Sequence, residues 1–540
     1  MMHRRKARWS APVLAVVLAM SACTSGGDTP PDTTIAQTTS TTVVVEGSTL
    51  TVATRAPESL EAHHAISTRA VDIASLLHTG LTRIDSEGRA VPGLAESWTS
   101  DDLVTWTFVL RPGSTFSDGT PITAQTFVDS WFALASQRTR GRTAYLGVEA
   151  GIANWRDVLA GVEGRQLGLR VVDERTLEVQ LEQNNPWLPE YLAHNAFAPV
   201  APSTLAALNP DGTSTTPLLG SGPFVIESGS LDDATMTLAR RAPTGQAGEV
   251  GRITLQFVDS DQAAADAVGL GTADVGLADG ALDVDGLQMA EHPSNQVWYM
   301  GFPTPRGPAS SPEPRRALSL SIDRSRFGTD LATPLATPSN LFAPDAQANG
   351  SPMTCTWCRF DPEEALAVIA DNDIEVPEDT FFVHVVAGSP VQPWAESIAA
   401  GWRDNLGWPV EVFEHPSLQA LVGYLQSGVP SGPFLLPWSG DHVGAEAFIA
   451  PLFAPDSNDA FIRYSTNEMI TLLSRLDATP VDDPQRDIEI SQLTFELDDI
   501  LAYLPLAVVP RRIAHSGRFD LSGIAGGVSR LDLAAVEALP

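Results

Sequence analysis

The sequence predicts a mixed α/β protein made of more than one lobe. Three observations carry this. Segments with apolar residues at every second position alternate with segments spaced at three and four, the pattern of strands interleaved with helices. The chain has 540 residues, 43% hydrophobic and 18% charged, enough for about three or four domain-sized units. A proline-rich connector, Thr304–Pro314, separates two halves of different texture.

The elements follow in order. Thr49–Thr54 alternates as a strand, and Val71–Leu77 has helical spacing. Trp106, Phe108 and Leu110 alternate with polar neighbours, a half-buried strand. Ser117-Asp118-Gly119-Thr120 is a turn. Thr123 then caps a helix whose Phe127, Trp131 and Leu134 share one face. Leu177, Val179 and Leu181 mark another one-sided strand. Met236 with Leu238, and Ile253 with Leu255 and Phe257, mark two more. Beyond the connector, Arg315–Ile322 reads as a helix. Asp361-Pro362-Glu363-Glu364 opens the next: an Asp cap, Pro at the first position and acids at the positive end of the dipole. Leu366 and Ile369 follow on one face of it. Phe381–Val386 and Val410–Phe413 read as strands around the helical Glu396–Leu406, and Ile488–Leu501 as a long amphipathic helix. No short-period repeat is present.

Charge excludes several functions. Lys+Arg number 33 against 66 Asp+Glu, a net charge of −33. Such a body repels phosphate backbones and anionic lipid, so no nucleic-acid partner is expected. Lys6 is the sole lysine, which removes a P-loop lysine and a lysine Schiff base from the body. Neither a G-x-S-x-G elbow nor an H-E-x-x-H motif occurs. No enzyme activity and no cofactor are expected.

Residues 1–22 read as a signal peptide. Arg4, Arg5, Lys6 and Arg8 form a positive n-region, and the apolar stretch Ala11–Ala22 is too short to span a bilayer. Met20-Ser21-Ala22-Cys23 resembles a bacterial lipobox, with Met in place of the more usual Leu. Such a motif is cut before the cysteine, whose thiol takes diacylglycerol. The alternative is an ordinary cleavage site beside a bystander cysteine. Residues 23–47 are rich in Thr, Ser and Pro and have little to bury, so they read as a flexible tether reaching roughly 25–30 Å. Cys355 and Cys358 form one C-x-x-C. A structural disulfide is the expected state in an exported protein, with redox and metal roles as the alternatives. No metal site is expected.

Several motifs then occur in a fixed order: Gly80-Leu81-Thr82-Arg83; Val91-Pro92-Gly93-Leu94-Ala95-Glu96-Ser97-Trp98; Thr105-Trp106-Thr107-Phe108-Val109-Leu110-Arg111; Phe116-Ser117-Asp118-Gly119-Thr120-Pro121; Gly220-Ser221-Gly222-Pro223-Phe224; Arg316–Arg324; and Phe360-Asp361-Pro362-Glu363-Glu364-Ala365. From about residue 49 to 510 the chain resembles family 5 extracellular solute-binding proteins, the peptide, dipeptide and nickel receptors of ABC importers. The resemblance implies a two-lobed periplasmic-binding-protein-like α/β fold of the large cluster C type, with an extra subdomain inserted in lobe one. It puts lobe one at 48–300, the insert at about 75–190, lobe two at 301–505, and a C-terminal return to lobe one at 506–540.

The family's peptide binders place an Asp against the peptide α-ammonium in a Trp-x-Gly-Asp segment. Here that segment is Trp438-Ser439-Gly440-Asp441-His442. Asp441 matches the ammonium partner and Trp438 the aromatic beside it; the alternative is a core Trp and a solvated loop acid. The chain departs from the family in continuing with Val443-Gly444-Ala445-Glu446 where Asp-Pro is frequent. Arg55–His63 resembles the family's first cleft loop, so Ser59 and His63 are candidate ligand contacts or plain surface-loop residues. The resemblance further implies a monomer outside the membrane, held by its lipid anchor on the periplasmic or cell-surface side. It would capture short peptides and pass them to ABC permease subunits served by separate ATPase chains. The alternatives are a sensor or interaction lipoprotein on the same fold, or a receptor for a non-peptide solute such as a metal chelate or sugar.

Overall fold

The computed structural model describes residues 48–539 except 142, 211, 215, 242–248, 279–285, 293–295, 304–306, 328–336, 345–346, 349–350, 428–430, 454–459, 463 and 525–529. The leader 1–22, Cys23 and the tether 23–47 lie outside the described residues. Among the described residues, no helix is long and apolar enough to cross a membrane.

Two large sheets organise the chain. The first has seven strands in the order Gln288–His292, Arg511–His515, Val275–Leu277, Ser48–Thr54, Val250–Phe257, Thr235–Arg240, Phe224–Ser228. Ser48–Thr54 runs parallel to Val250–Phe257, with Leu50 and Val52 fully buried, as their alternation requires. The second has six strands in the order Thr337–Pro338, Tyr503–Val508, Gln296–Gly301, Phe434–Ser439, Phe381–Val386, Val410–His415. Each sheet carries its own apolar core. These are lobe one and lobe two.

A third core, from Leu81 to Ala201, belongs to the insert and its four-stranded sheet, Ala95–Thr99, Thr105–Leu110, Thr176–Gln180, Leu169–Asp173. Residues 75–77 end the Thr68–Leu77 helix, whose Ile73, Leu76 and Leu77 pack in the lobe-one core. The insert core therefore begins later and ends later than the resemblance suggests.

The chain crosses between lobes twice. Outward, it leaves the first sheet at His292 and enters the second at Gln296; on the return it leaves at Val508 and re-enters at Arg511. Residues 296–300 and 506–508 therefore hydrogen-bond in the lobe-two sheet, not in lobe one where the sequence boundaries put them. Period-two alternation marks a strand but not the sheet it joins. The crossings are neighbours: His292 pairs with Arg511 on one side, Val297 with Val508 on the other, and the Val509 N–H donates to the Gln296 carbonyl at 3.3 Å.

Local signals mostly act as expected. Ala124–Ala135 is helical behind Thr123, whose N–H donates to the Thr126 hydroxyl at 3.2 Å, with Phe127, Trp131 and Leu134 fully buried. The Asp361 side chain accepts from the Glu364 N–H at 3.0 Å and starts the Pro362–Asp371 helix. In that helix Leu366 is 50% exposed, and the inward face carries Ala365, Val368 and Ile369. Helices also start earlier than the apolar spacing shows. Pro312–Leu320 and Gln392–Leu406 each carry a Pro in the first turn, and Gln485–Ile500 gains the polar Gln485, Arg486 and Asp487 there. The last buries Arg486 and Glu489 yet leaves Phe495 72% exposed, so its faces depart from simple amphipathicity. Cys355 and Cys358 are joined in a disulfide, both buried in lobe two.

Candidate ligand-binding cleft

The Phe434–Ser439 strand lies in the middle of the lobe-two sheet, between Gln296–Gly301 and Phe381–Val386. Its end delivers residues 440–444 to the face that lobe two turns toward the insert. Trp438 is half-buried, and its indole N–H donates to the Ala447 carbonyl at 2.9 Å, which ties the ring to its own lobe. Ser439 and Asp441 are exposed, while Gly440 is buried. A Cβ on Gly440 would come within 2.8 Å of the Phe448 ring, so the strand end packs flush on the following helix.

His442 reaches across to the insert. It is buried against the insert, its ring stacked on Trp187 at 4.4 Å between centroids and edge-on to Tyr191 at 5.5 Å. Its Nδ1 accepts from the Gly444 N–H at 3.1 Å. Burial pushes its pKa down to about 4, so the ring is neutral. Gly444 is required by the same contact: a Cβ there would lie 2.6 Å from the Trp187 ring. The Trp187 indole N–H donates to Glu446, which is ion-paired with Arg486 in the same buried patch. Burial alone would raise the Glu446 carboxyl; Arg486 and then His442 outweigh it, and its pKa is lowered. The Val443–Glu446 departure from the family thus has a structural role. Gly444 makes room for Trp187, and Glu446 accepts its proton donor.

Beside this contact is a cavity of about 300 Å³ between the insert and lobe two. Asp441, Glu149, Glu182 and Asp477 line it, with Arg156 as a counter-charge. Burial and the neighbouring Glu446 push Asp477 up to about 7. Solvent reaches Asp441, yet protein surrounds it on most sides, as at the wall of a cleft. This enclosure raises its carboxyl pKa, and Arg530 opposes the rise. Arg530 comes from the C-terminal return to lobe one. Its neighbour Leu531 is fixed by an N–H bond to buried Asp72 at 2.9 Å, and its guanidinium donates to the Ala193 carbonyl at 3.3 Å. Asp72 also holds Arg511, the first residue after the return crossing, at 2.7 Å. One buried carboxylate therefore braces both a crossing segment and the arginine facing Asp441.

Ser59 and His63 are elsewhere. They line a separate cavity within lobe one and the insert, which shares no lining residue with the Asp441 cavity. The Ser59 hydroxyl accepts from the Glu61 N–H at 3.0 Å, and His63 is buried. The structure thus brings Asp441, Ser439, Gly440 and His442 together and leaves Ser59 and His63 apart. Sequence reasoning missed Trp187, Glu446, Arg486 and Arg530. Trp187 follows Asn184-Asn185-Pro186, a loop signal carrying no periodicity, and Arg530 is an isolated charge in a Gly/Ser-rich stretch.

Two lobes joined by paired crossings, with a subdomain grafted on the first, define a solute-binding receptor of the periplasmic-binding-protein class. Residues 89–459 match the family model for the middle region of bacterial extracellular solute-binding proteins, family 5, and the chain belongs to that family. It is 28% identical over 371 residues to the periplasmic murein peptide-binding protein MppA of Escherichia coli, covering 66% of this chain and 68% of that one. It is 24% identical over 519 residues to the periplasmic oligopeptide-binding protein OppA of Salmonella typhimurium, covering 93% of each. Among solved structures, the unliganded open form of MppA superposes with a TM-score of 0.79 at 21% identity, over 92% of this chain and 98% of that one. Haemophilus influenzae OppA in complex with RPPGFSPFR gives 0.66 at 18% identity, over 92% and 100%.

Proposed function

We propose that this protein is the lipid-anchored substrate receptor of an ABC importer. It captures short peptides outside the membrane and hands them to a permease, and it performs no chemistry on them. The observation that carries the reading is the position of Asp441. Its carboxylate stands at the end of a central lobe-two strand, in a carboxylate-lined cavity, with the lobe-one guanidinium of Arg530 in electrostatic reach. A zwitterion has the matching charges. Its ammonium meets Asp441 in a charge-assisted hydrogen bond worth about 1.5–3 kcal/mol. Contacts to both lobes stabilise the closed form only by the ligand's differential affinity for it. The peptide-binding names of MppA and OppA support the same ligand class.

Titration calorimetry with pools of di- to pentapeptides tests this. Saturable heat is expected, with affinity at least about ten-fold weaker in Asp441→Asn and for N-acetylated peptides. An absence of heat with every pool, or full affinity in Asp441→Asn, refutes the peptide assignment. Native mass spectrometry of freshly purified protein would then identify a metal chelate, a sugar or another non-peptide cargo.

A further inference from the structure

The cavity that takes up Ser59 and His63 is not explained by peptide capture. It occupies about 470 Å³ along the seam between lobe one and the insert, within the range of small-molecule sites, about 300–1,000 Å³. Its wall is mostly apolar, built from Leu60, Val200, Leu208, Leu218, Ile226 and Leu231. Among the described residues, polar atoms of His63, His78 and Thr139 are buried at this seam without a hydrogen-bond partner. His63 is only 2% exposed, and neither of its ring nitrogens has a partner among the described residues. His78 donates from Nε2 to the Leu60 carbonyl at 2.9 Å, which leaves Nδ1 as an acceptor, buried and unpaired. The Thr139 hydroxyl is buried and unpaired as well. Buried polar groups are nearly always satisfied, so three such residues around one cavity call for an occupant.

The chemistry of that occupant is constrained. Burial, with His64 and His78 nearby, pushes the pKa of His63 down to about 3, so its ring is neutral, with one donor and one acceptor. Glu58 and Glu61 stand on the same wall, and no Arg or Lys lines the cavity among the described residues, so an anion is disfavoured. A group that both donates and accepts satisfies His63 and the His78 acceptor together. We propose that this cavity is a second binding site, for a small uncharged apolar molecule carrying one hydroxyl or amide group, with His63 as its polar partner. The site is independent of Asp441 and of the peptide reading.

Fluorine NMR on the intact protein, with 4-fluorophenol and 4-fluorotoluene as probes, tests it. Both probes should broaden, and the phenol should bind about five-fold more tightly, the worth of one added hydrogen bond. His63→Leu should erase that preference while toluene binding persists. Thr204→Phe, which fills the cavity from its wall, should weaken both probes at least ten-fold. No broadening at millimolar probe, binding unchanged in Thr204→Phe, or a phenol preference that survives His63→Leu would each overturn the proposal. The first of these outcomes would assign the space to water.

Discussion

The indole of Trp187 lies flat on the imidazole of His442, with centroids 4.4 Å apart and planes 17° from parallel. One ring comes from the insert, the other from lobe two. The contact therefore joins bodies whose cores are separate. A second contact reinforces it: Gly88, at a φ of +78°, turns a hairpin so tightly against lobe two that a Cβ there would meet Val443 at 2.3 Å.

Trp187→Ala should destabilise the protein by about 3–5 kcal/mol, the range for truncating a buried large aromatic. It also leaves Glu446 without its indole donor. Trp187→Phe keeps a ring on His442 but not the donor, and should cost about 1.5–3 kcal/mol. Urea unfolding measures both; a Trp187→Ala loss under about 0.5 kcal/mol, the scale of a surface change, would show that the stack contributes nothing.

Arg530 holds the Asp441 carboxyl below the pKa that its enclosure would otherwise impose. Peptide affinity should fall as pH drops through the Asp441 titration, because the protonated acid no longer attracts the ammonium. In Arg530→Gln the midpoint of that fall should move to higher pH. A midpoint that stays in place would show the two charges to be uncoupled.

Global stability should depend on pH chiefly through buried histidines. Burial lowers His63 to about 3 and His78, His384 and His442 to about 4, from an ordinary 6.5. The unfolded chain binds protons that the folded one refuses, so stability is intact above about pH 6.5 and is lost as pH falls toward 4. Asp477 and Glu190, both raised to about 7, act in the opposite sense, since the folded state holds their protons longer. Burial raises Glu61 and Asp441 as well, but it also lowers His194, His292, His415 and His515; the histidines outweigh the carboxyls, and thermal midpoints should fall between pH 7 and 5. His442→Phe keeps a ring on Trp187 but cannot titrate, and should flatten the slope. An unchanged slope would remove His442 from the account.

Cys23, outside the described residues, is expected to carry diacylglycerol. Two acyl chains give stable anchoring where one is marginal. Cys23→Ser should move the protein from the membrane fraction to the soluble one and abolish labelling by radioactive palmitate. Continued labelling would place the lipid elsewhere.

Much of the fold was legible because strands and helices advertise themselves through burial. Trp106, Phe108 and Leu110 alternate because one face of their sheet is covered, and Phe127, Trp131 and Leu134 repeat because one side of their helix is. Polar first turns and the sheet that a strand joins leave no such trace, so helix starts and lobe boundaries shifted by several residues. The site was half legible. Asp441 lies in a recognisable local motif, whereas Arg530 is 89 positions further along and meets it only through tertiary folding. His442 was read as a ligand contact from adjacency alone. Its ring stacks on Trp187, and it lines the same cavity as Asp441. Ser59 and His63 sit in a loop that resembles a cleft loop, and here they line a cavity separate from that of Asp441.

The paired crossings restrict how the halves can move. Two strands that stay hydrogen-bonded on either side of a gap of two or three residues act as a door hinge with both leaves screwed down. Sliding one half along the other would tear the ladder, whereas swinging only twists a handful of backbone torsions around Val509 and Pro510. A guest can therefore be admitted and enclosed while every strand keeps its register.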